Sequence, residues 1–184
     1  MTIATLLRGR VARSGACHTD GMESTGRRWS EVERLAGELA LGVAARLRAH
    51  EHHVIATVRD DGRPRVSGTT VNLTDGRLWL GMMGVAARAR DLRTRPWCAL
   101  HSAPLNVTLP QGEGDVRIDA DAVFLDDADF ASLLRAIGHE PESFDGSSAV
   151  ELMVREMSLV EVVGDEMLIT SWSPSAGVRT GRHR

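Results

Sequence analysis

Apolar residues recur at helical spacing through Val32, Leu35, Ala36, Leu39, Val43 and Leu47, which predicts one amphipathic helix from about Ser30 to His50. Ser30 and Glu33 stand at capping-box spacing, each side chain able to satisfy the other residue's free backbone N–H, and mark its start. The period then changes to two. Val54, Ile55 and Val58 lie in a short β-favouring run that stops at Asp60-Asp61-Gly62, a turn signal, and Arg65 to Val71 resumes as the second arm of a hairpin. A second turn at Thr74-Asp75-Gly76 leads into Leu78-Trp79-Leu80-Gly81-Met82, the third strand of an antiparallel meander. Ala86 to Arg93 reads as a short helix stopped by Pro96, whose ring turns the preceding residue away from helical geometry, and Trp97 to His101 follows as a fourth strand.

Further along, Val116, Ile118, Ala120, Ala122 and Phe124 alternate with Arg117, Asp119 and Asp121, the signature of a strand with one face buried. Asp127 caps a helix carrying Phe130, Leu133, Leu134 and Ile137 to Gly138, and a loop with His139-Glu140-Pro141 follows. Leu152 to Val163 and Met167 to Trp172 flank a Gly164-Asp165 turn as the last two strands. Six or seven antiparallel strands with helices at the edges predict a mainly β fold, and a six-stranded split β-barrel leaves fewer raw edges than an open sheet. Residues 29–175 carry that pattern. Residues 1–28, with five Arg and no periodicity, are expected to be a disordered leader, with Met22 an alternative start, and residues 176–184 a flexible basic tail.

Composition narrows the classes. At 184 residues with 42% hydrophobic and 26% charged residues, the chain has enough apolar surface for one core, and no apolar run approaches the roughly 20 residues of a spanning helix. A net charge of -3 argues against bulk nucleic-acid binding, which needs a basic face. Cys17 and Cys98 have no metal-ligand spacing and form no disulfide framework, which suits a reducing compartment, by default the cytoplasm. All 22 basic residues are Arg and Tyr is missing, a coding bias with no chemical message of its own.

Three pieces in order carry the specific signal: ATVRDDGRPRVSG, DGRLWLGMM and RARDLRTRPWCAL, from hairpin to third strand to Arg-rich helix and Pro-headed strand. Together they resemble the flavin-binding half of the pyridoxamine 5'-phosphate oxidase-like split barrels, small actinobacterial members above all. The resemblance extends more weakly over residues 29–175. It implies a homodimer with flavin mononucleotide (FMN), or a deazaflavin coenzyme of the factor 420 type, between the subunits. On this sequence Ser67, Gly68, Thr69 and Thr70 match the second-strand cofactor positions, Gly81, Met82 and Met83 the third-strand positions, and Arg88 the basic residue that holds the phosphate. Glycines at 68 and 81 let a planar ring approach the backbone, and a guanidinium offers a phosphate paired donors. The chain departs from the family where a Ser and a second basic residue usually precede the phosphate-binding one: Ala86 and Ala87 stand there.

Plainer readings stand beside these. Arg88, Arg90, Arg93 and Arg95 with Asp91 also fit a solvated helix face, Ser67 and Thr69 a wet sheet face, and Met82 and Met83 core filler. His50, His52 and His53 around Glu51 invite a metal, but a helix-to-strand switch scatters their rings, and no metal is expected. His101 is a candidate for the cofactor edge. Ser102, His101 and Asp115 lack a nucleophile-elbow pattern and are set aside as a hydrolytic set. The expected activity is that of an oxidoreductase whose cofactor carries the electrons. The alternative is a non-catalytic cofactor- or haem-binding module. Oxidation of pyridoxamine phosphate itself is disfavoured, because beyond Trp172 and scattered Arg179, Arg182 and Arg184 there is no substrate-phosphate motif. The substrate pocket is expected from the loops Pro104 to Gly114 and His139 to Ser148, with no nucleic acid or membrane as partner.

Overall fold

The structure, a computed structural model, describes residues 25–103 and 114–183. Most of the expected leader, Cys17 and nearly all of the loop from Pro104 lie outside the described residues.

The predicted entry helix is two helices, α1 (Trp29–Ala36) and α2 (Glu38–Arg48), broken at Gly37. Gly37 sits at φ +48° and ψ -119°, where an L side chain is strained, so the apolar period continues across a kink. The helix starts earlier than the capping box implied. Ser30 lies in the first turn with its N–H on the Gly76 carbonyl, while the Glu33 carboxylate takes the Trp29 indole N–H at 2.8 Å.

Among the described residues nine strands follow where six or seven were expected: β1 (His53–Val58), β2 (Pro64–Thr69), β3 (Asn72–Thr74), β4 (Arg77–Met83), β5 (Trp97–His101), β6 (Gly114–Phe124), β7 (Ser147–Val163), β8 (Glu166–Ser173) and β9 (Gly177–His183). Helix α3 (Ala87–Thr94) joins β4 to β5, and α4 (Asp127–Ala136) with a 3₁₀ turn (Pro141–Phe144) joins β6 to β7. Asp126 rather than Asp127 caps α4, its carboxylate accepting the Asp129 N–H at 2.8 Å. All pairings are antiparallel, along the path β2-β1-β5-β6-β7-β4-β3, so β2 and β3 are the two free ends of a split barrel. The expected flexible tail is ordered over residues 177–183, which pair with β8 as β9.

The 17-residue β7 accounts for the extra sheet. Its first part pairs with β4 and its last part with β8, while β6 runs along its other side with a bulge at Asp119/Ala120. The barrel core packs Ile55, Leu80, Leu100, Ile118 and Leu152 against Trp29, Val43 and Leu47 of the two entry helices. A second cluster lies outside the barrel wall, where Trp79 and Ala149 meet Phe130, Leu133 and Leu134 of α4. Strand β4 is therefore covered on both faces, with Leu78, Leu80 and Met82 in the barrel core and Trp79 towards α4, which explains its unbroken apolar run. Among the described residues no helix is long and apolar enough to cross a membrane.

Candidate functional site

The tight turn at Asp75 and Gly76, both at positive φ, folds β4 back from β3, and only three residues separate the end of β4 from the start of α3. That short connection brings Arg88, in the first turn of α3, over the gap between β2 and β4. Its Nη1 donates to the Gly68 carbonyl at 2.8 Å and its Nη2 to the Gly81 carbonyl at 3.5 Å. The three sequence pieces thus meet at one guanidinium. Arg88 is half-buried, not exposed, and burial pushes it down from the ordinary arginine value. Among the described residues no carboxylate pairs with it. Ala86 caps α3 with no side-chain hydrogen bond.

The other expected positions divide by strand alternation. Gly68 and Thr70 are exposed, together with Val66, while Ser67 and Thr69 turn to the covered face. Ser67 Oγ is buried with no partner among the described residues, and Thr69 Oγ1 donates to the Thr70 carbonyl at 3.3 Å. Met82 is 5% exposed and belongs to the barrel core, so of the methionine pair only Met83, at 69%, is open. His101 lies on β5, separated from β2 by β1, with its Nδ1 against the Ser102 carbonyl.

Two features escaped the sequence reading. Asp91, one turn beyond Arg88, is 5% exposed and anchors α3: its Oδ2 accepts from Thr57 Oγ1 at 2.8 Å and from Arg65 Nε at 2.7 Å. Burial pushes this carboxyl up, but the hydrogen bonds and nearby charge of Arg65, with Thr57, outweigh that and hold it below the usual carboxylate range. The one acid within the Arg-rich helix was the available signal. The second feature is a cavity of about 350 Å³ between β4, α4 and the 3₁₀ turn, opening beside Thr70, Gly81 and Met83. Trp79 forms part of its wall, and the buried indole Nε1 finds no acceptor among the described residues.

The histidine cluster is dispersed. His53 is buried, with Nε2 at 3.1 Å from the Leu47 carbonyl and Nδ1 accepting the Ala103 N–H at 3.2 Å, whereas His50 and His52 are exposed. No group of three His, Cys, Asp or Glu among the described residues is arranged to hold a metal.

Comparison with known proteins agrees with the architecture. The sequence model of the family described as Pyridoxamine 5'-phosphate oxidase matches residues 42–161. No curated protein matches the chain. Among solved structures, PhzG from Burkholderia lata 383, in complex with tetrahydrophenazine-1-carboxylic acid, superposes with a TM-score of 0.59 at 14% identity, over 79% of this chain and 87% of that one. A pyridoxamine 5'-phosphate oxidase-related, FMN-binding protein from Nostoc punctiforme gives 0.53 at 14% identity, over 78% and 94%. A heme binding protein from Mycobacterium smegmatis gives 0.57 at 21% identity, over 73% of this chain and 58% of that one. At such identities the likeness is one of fold.

Proposed function

The chain belongs to the pyridoxamine 5'-phosphate oxidase family, and from that premise we propose that it binds a planar, phosphate-bearing redox cofactor between two copies of itself and works as an oxidoreductase. FMN is the preferred cofactor and a deazaflavin coenzyme the alternative. A single observation carries this reading: a half-buried Arg88 without a carboxylate partner, spending its donors on the carbonyls of Gly68 and Gly81. Carbonyls are weak partners for a guanidinium, and an incoming phosphate offers the stronger, charge-assisted pair. The uncapped start of α3 lies beside it and adds a favourable dipole of about 0.3–1 kcal/mol for an anion.

The residues present fit the group in part. Arg88 would hold the phosphate, and the bare backbones at Gly68 and Gly81 would admit the ring and its chain. When bound, a flavin supplies hydride or single-electron transfer. The chain's own work is to bind, to orient and to keep water away. Val66 of β2, Met83 at the end of β4 and Val85 in the connection to α3, 67%, 69% and 82% exposed, are apolar surface on the elements around Arg88 that a second copy would cover. Light scattering is then expected to give about twice 20.0 kDa. Cys98, reduced and buried, suits a cytoplasmic setting.

The second reading, a non-catalytic cofactor- or haem-binding module, is favoured by Ala86 and Ala87, which contribute neither hydroxyl nor charge to a phosphate. The absorbance spectrum of the purified protein separates the two. For the leading reading the test is Arg88→Ala, expected to weaken FMN binding about 10- to 100-fold, the worth of a charged hydrogen bond to phosphate, and to abolish the preference for FMN over riboflavin. Arg90→Ala, an exposed residue on the same helix, is the control and should change affinity less than about threefold. Equal binding of FMN and riboflavin by the unaltered protein would sink the phosphate site.

A further inference from the structure

We propose that the cavity outside β4 binds a second ligand, and that this ligand is an uncharged molecule built on one or two ring systems, not a phosphate ester or a carboxylate. As the pocket of the reaction partner it rests on the cofactor reading above; as a pocket for an apolar ring it rests on its own walls.

Those walls are specific. At about 350 Å³ the cavity falls at the small end of ligand pockets, enough for a single compact molecule. Trp79 meets Phe130 edge-to-face with centroids 6.1 Å apart, and Phe130 meets Phe144 in the same manner at 6.3 Å, so aromatic surface lines one side. Met83 and Ile137 line it as well, and an unbranched thioether adapts to ring shape. The space is not a by-product of packing at Gly81. A Cβ added there would come no nearer than 4.0 Å to Phe130, so an ordinary side chain would fit and would partly fill the cavity.

Charge is what the lining lacks. Among the described residues neither a carboxylate nor a guanidinium lines the cavity, and its polar groups are those of Thr70, Asn72, Ser147 and the Trp79 indole N–H, with the His139 ring tilted at 56° against Phe144. Of the cations around it, Arg88 sits at the Gly81 carbonyl and is the one assigned above to the cofactor phosphate, while Arg77 is paired with Asp129 at 2.8 Å and Arg93 is held by the Gly84 carbonyl, Ser148 and the Phe124 ring. An anion placed here would exchange its water for the Trp79 indole N–H, the His139 ring and the neutral groups of Thr70, Asn72 and Ser147, with no guanidinium on the wall to balance a full charge, and desolvating it costs more than desolvating an uncharged ring. An uncharged ring bearing an oxygen or nitrogen acceptor meets no such penalty. The cavity shares Thr70, Gly81, Met82 and Met83 with the expected cofactor positions, so a ligand held in it lies next to them.

The test is a fluorescence titration of the full chain with N-phenyl-1-naphthylamine, an uncharged two-ring-system dye that brightens on leaving water, with and without FMN. Ile137→Trp and Ser147→Phe plug the cavity from opposite walls, and circular dichroism identifies the variant that keeps its fold. The dye is expected to bind, each folded plug to weaken it by about tenfold or more while FMN affinity changes less than about threefold, and Arg88→Ala to do the reverse. Pyridoxamine 5'-phosphate should not displace it. Absent dye binding, binding indifferent to both plugs, displacement by pyridoxamine 5'-phosphate, or plugs that remove FMN as strongly as dye would each overturn the proposal. Dye binding without any FMN binding supports the pocket and removes the cofactor reading instead.

Discussion

Replacing Asp91 separates hydrogen bonding from charge at the anchor of α3, because both donors converge on one oxygen, Oδ2. In Asp91→Asn the amide oxygen can take that place and still accept from Thr57 and Arg65, so only the ionic part is lost. The Arg65 side chain is 29% exposed, which screens that part to about 1 kcal/mol or less. Asp91→Ala removes the shared acceptor from both donors. Thr57, 2% exposed, then keeps a hydroxyl without a partner at about 1–3 kcal/mol, and Arg65 recovers water for a smaller loss, giving about 2–4 kcal/mol in total. For a domain of this size, about 2–4 °C per kcal/mol, Ala should lower the melting temperature by about 10 °C and Asn by about 3 °C. The pH dependence has a fixed sign. A carboxyl held below its unfolded value stabilises fully above that value, near 3.9, and loses its contribution as pH falls through the folded one. The gap between wild type and Asp91→Asn, followed by urea denaturation, should be constant from pH 7 to pH 5 and shrink below about pH 4. Equal losses for Asn and Ala, or a gap undiminished at pH 3, would refute the reasoning.

Two further outcomes are expected. Trp79→Phe keeps the aromatic contact with Phe130 and removes an indole N–H that has no acceptor among the described residues, so stability should stay within about 1 kcal/mol of wild type or rise; a loss of 2 kcal/mol or more would mean the donor is paired. His53 is held below the ordinary histidine value, chiefly by burial, and its Nδ1 accepts the Ala103 N–H only while neutral, so stability should fall as pH drops below about 6.5, by up to about 1.4 kcal/mol per pH unit, and His53→Asn should flatten that slope in a denaturation series.

Local turn chemistry made most of the strands legible. Asp60-Asp61-Gly62 marks the turn after β1 and the alternation from Val116 to Phe124 gives β6 almost to the residue, whereas the expected second strand Arg65 to Val71 ends at Thr69, the separate β3 was not expected, and β4 pairs with β3 and β7 instead of continuing a meander from β2. The break at Gly37 was hidden because the apolar residues on both sides still face one core, so the period persists while the backbone does not. β9 was hidden for the opposite reason: Gly177 to His183 has almost no apolar residue to alternate, and only pairing with β8 orders it. At the site, the order of motifs brought Gly68, Gly81 and Arg88 together. The sequence could not say which way Ser67 and Thr69 point, since a one-residue change of register exchanges the faces, nor that Phe130 and Phe144 would close a cavity over β4 from far along the chain.

The long strand β7 also dictates an order of events during synthesis. Trp79 to Met83 finds its second strand partner only in Ser147 to Glu151, so the first four strands leave the ribosome with that edge of β4 unpaired until β7 has emerged. Long-range pairing of this kind is slow to close and exposes apolar surface while it waits. A nascent chain stalled after β6 should therefore be sensitive to protease and hold chaperones, and one extended beyond Val163 should resist cleavage, with β8 and β9 added onto a barrel already shut.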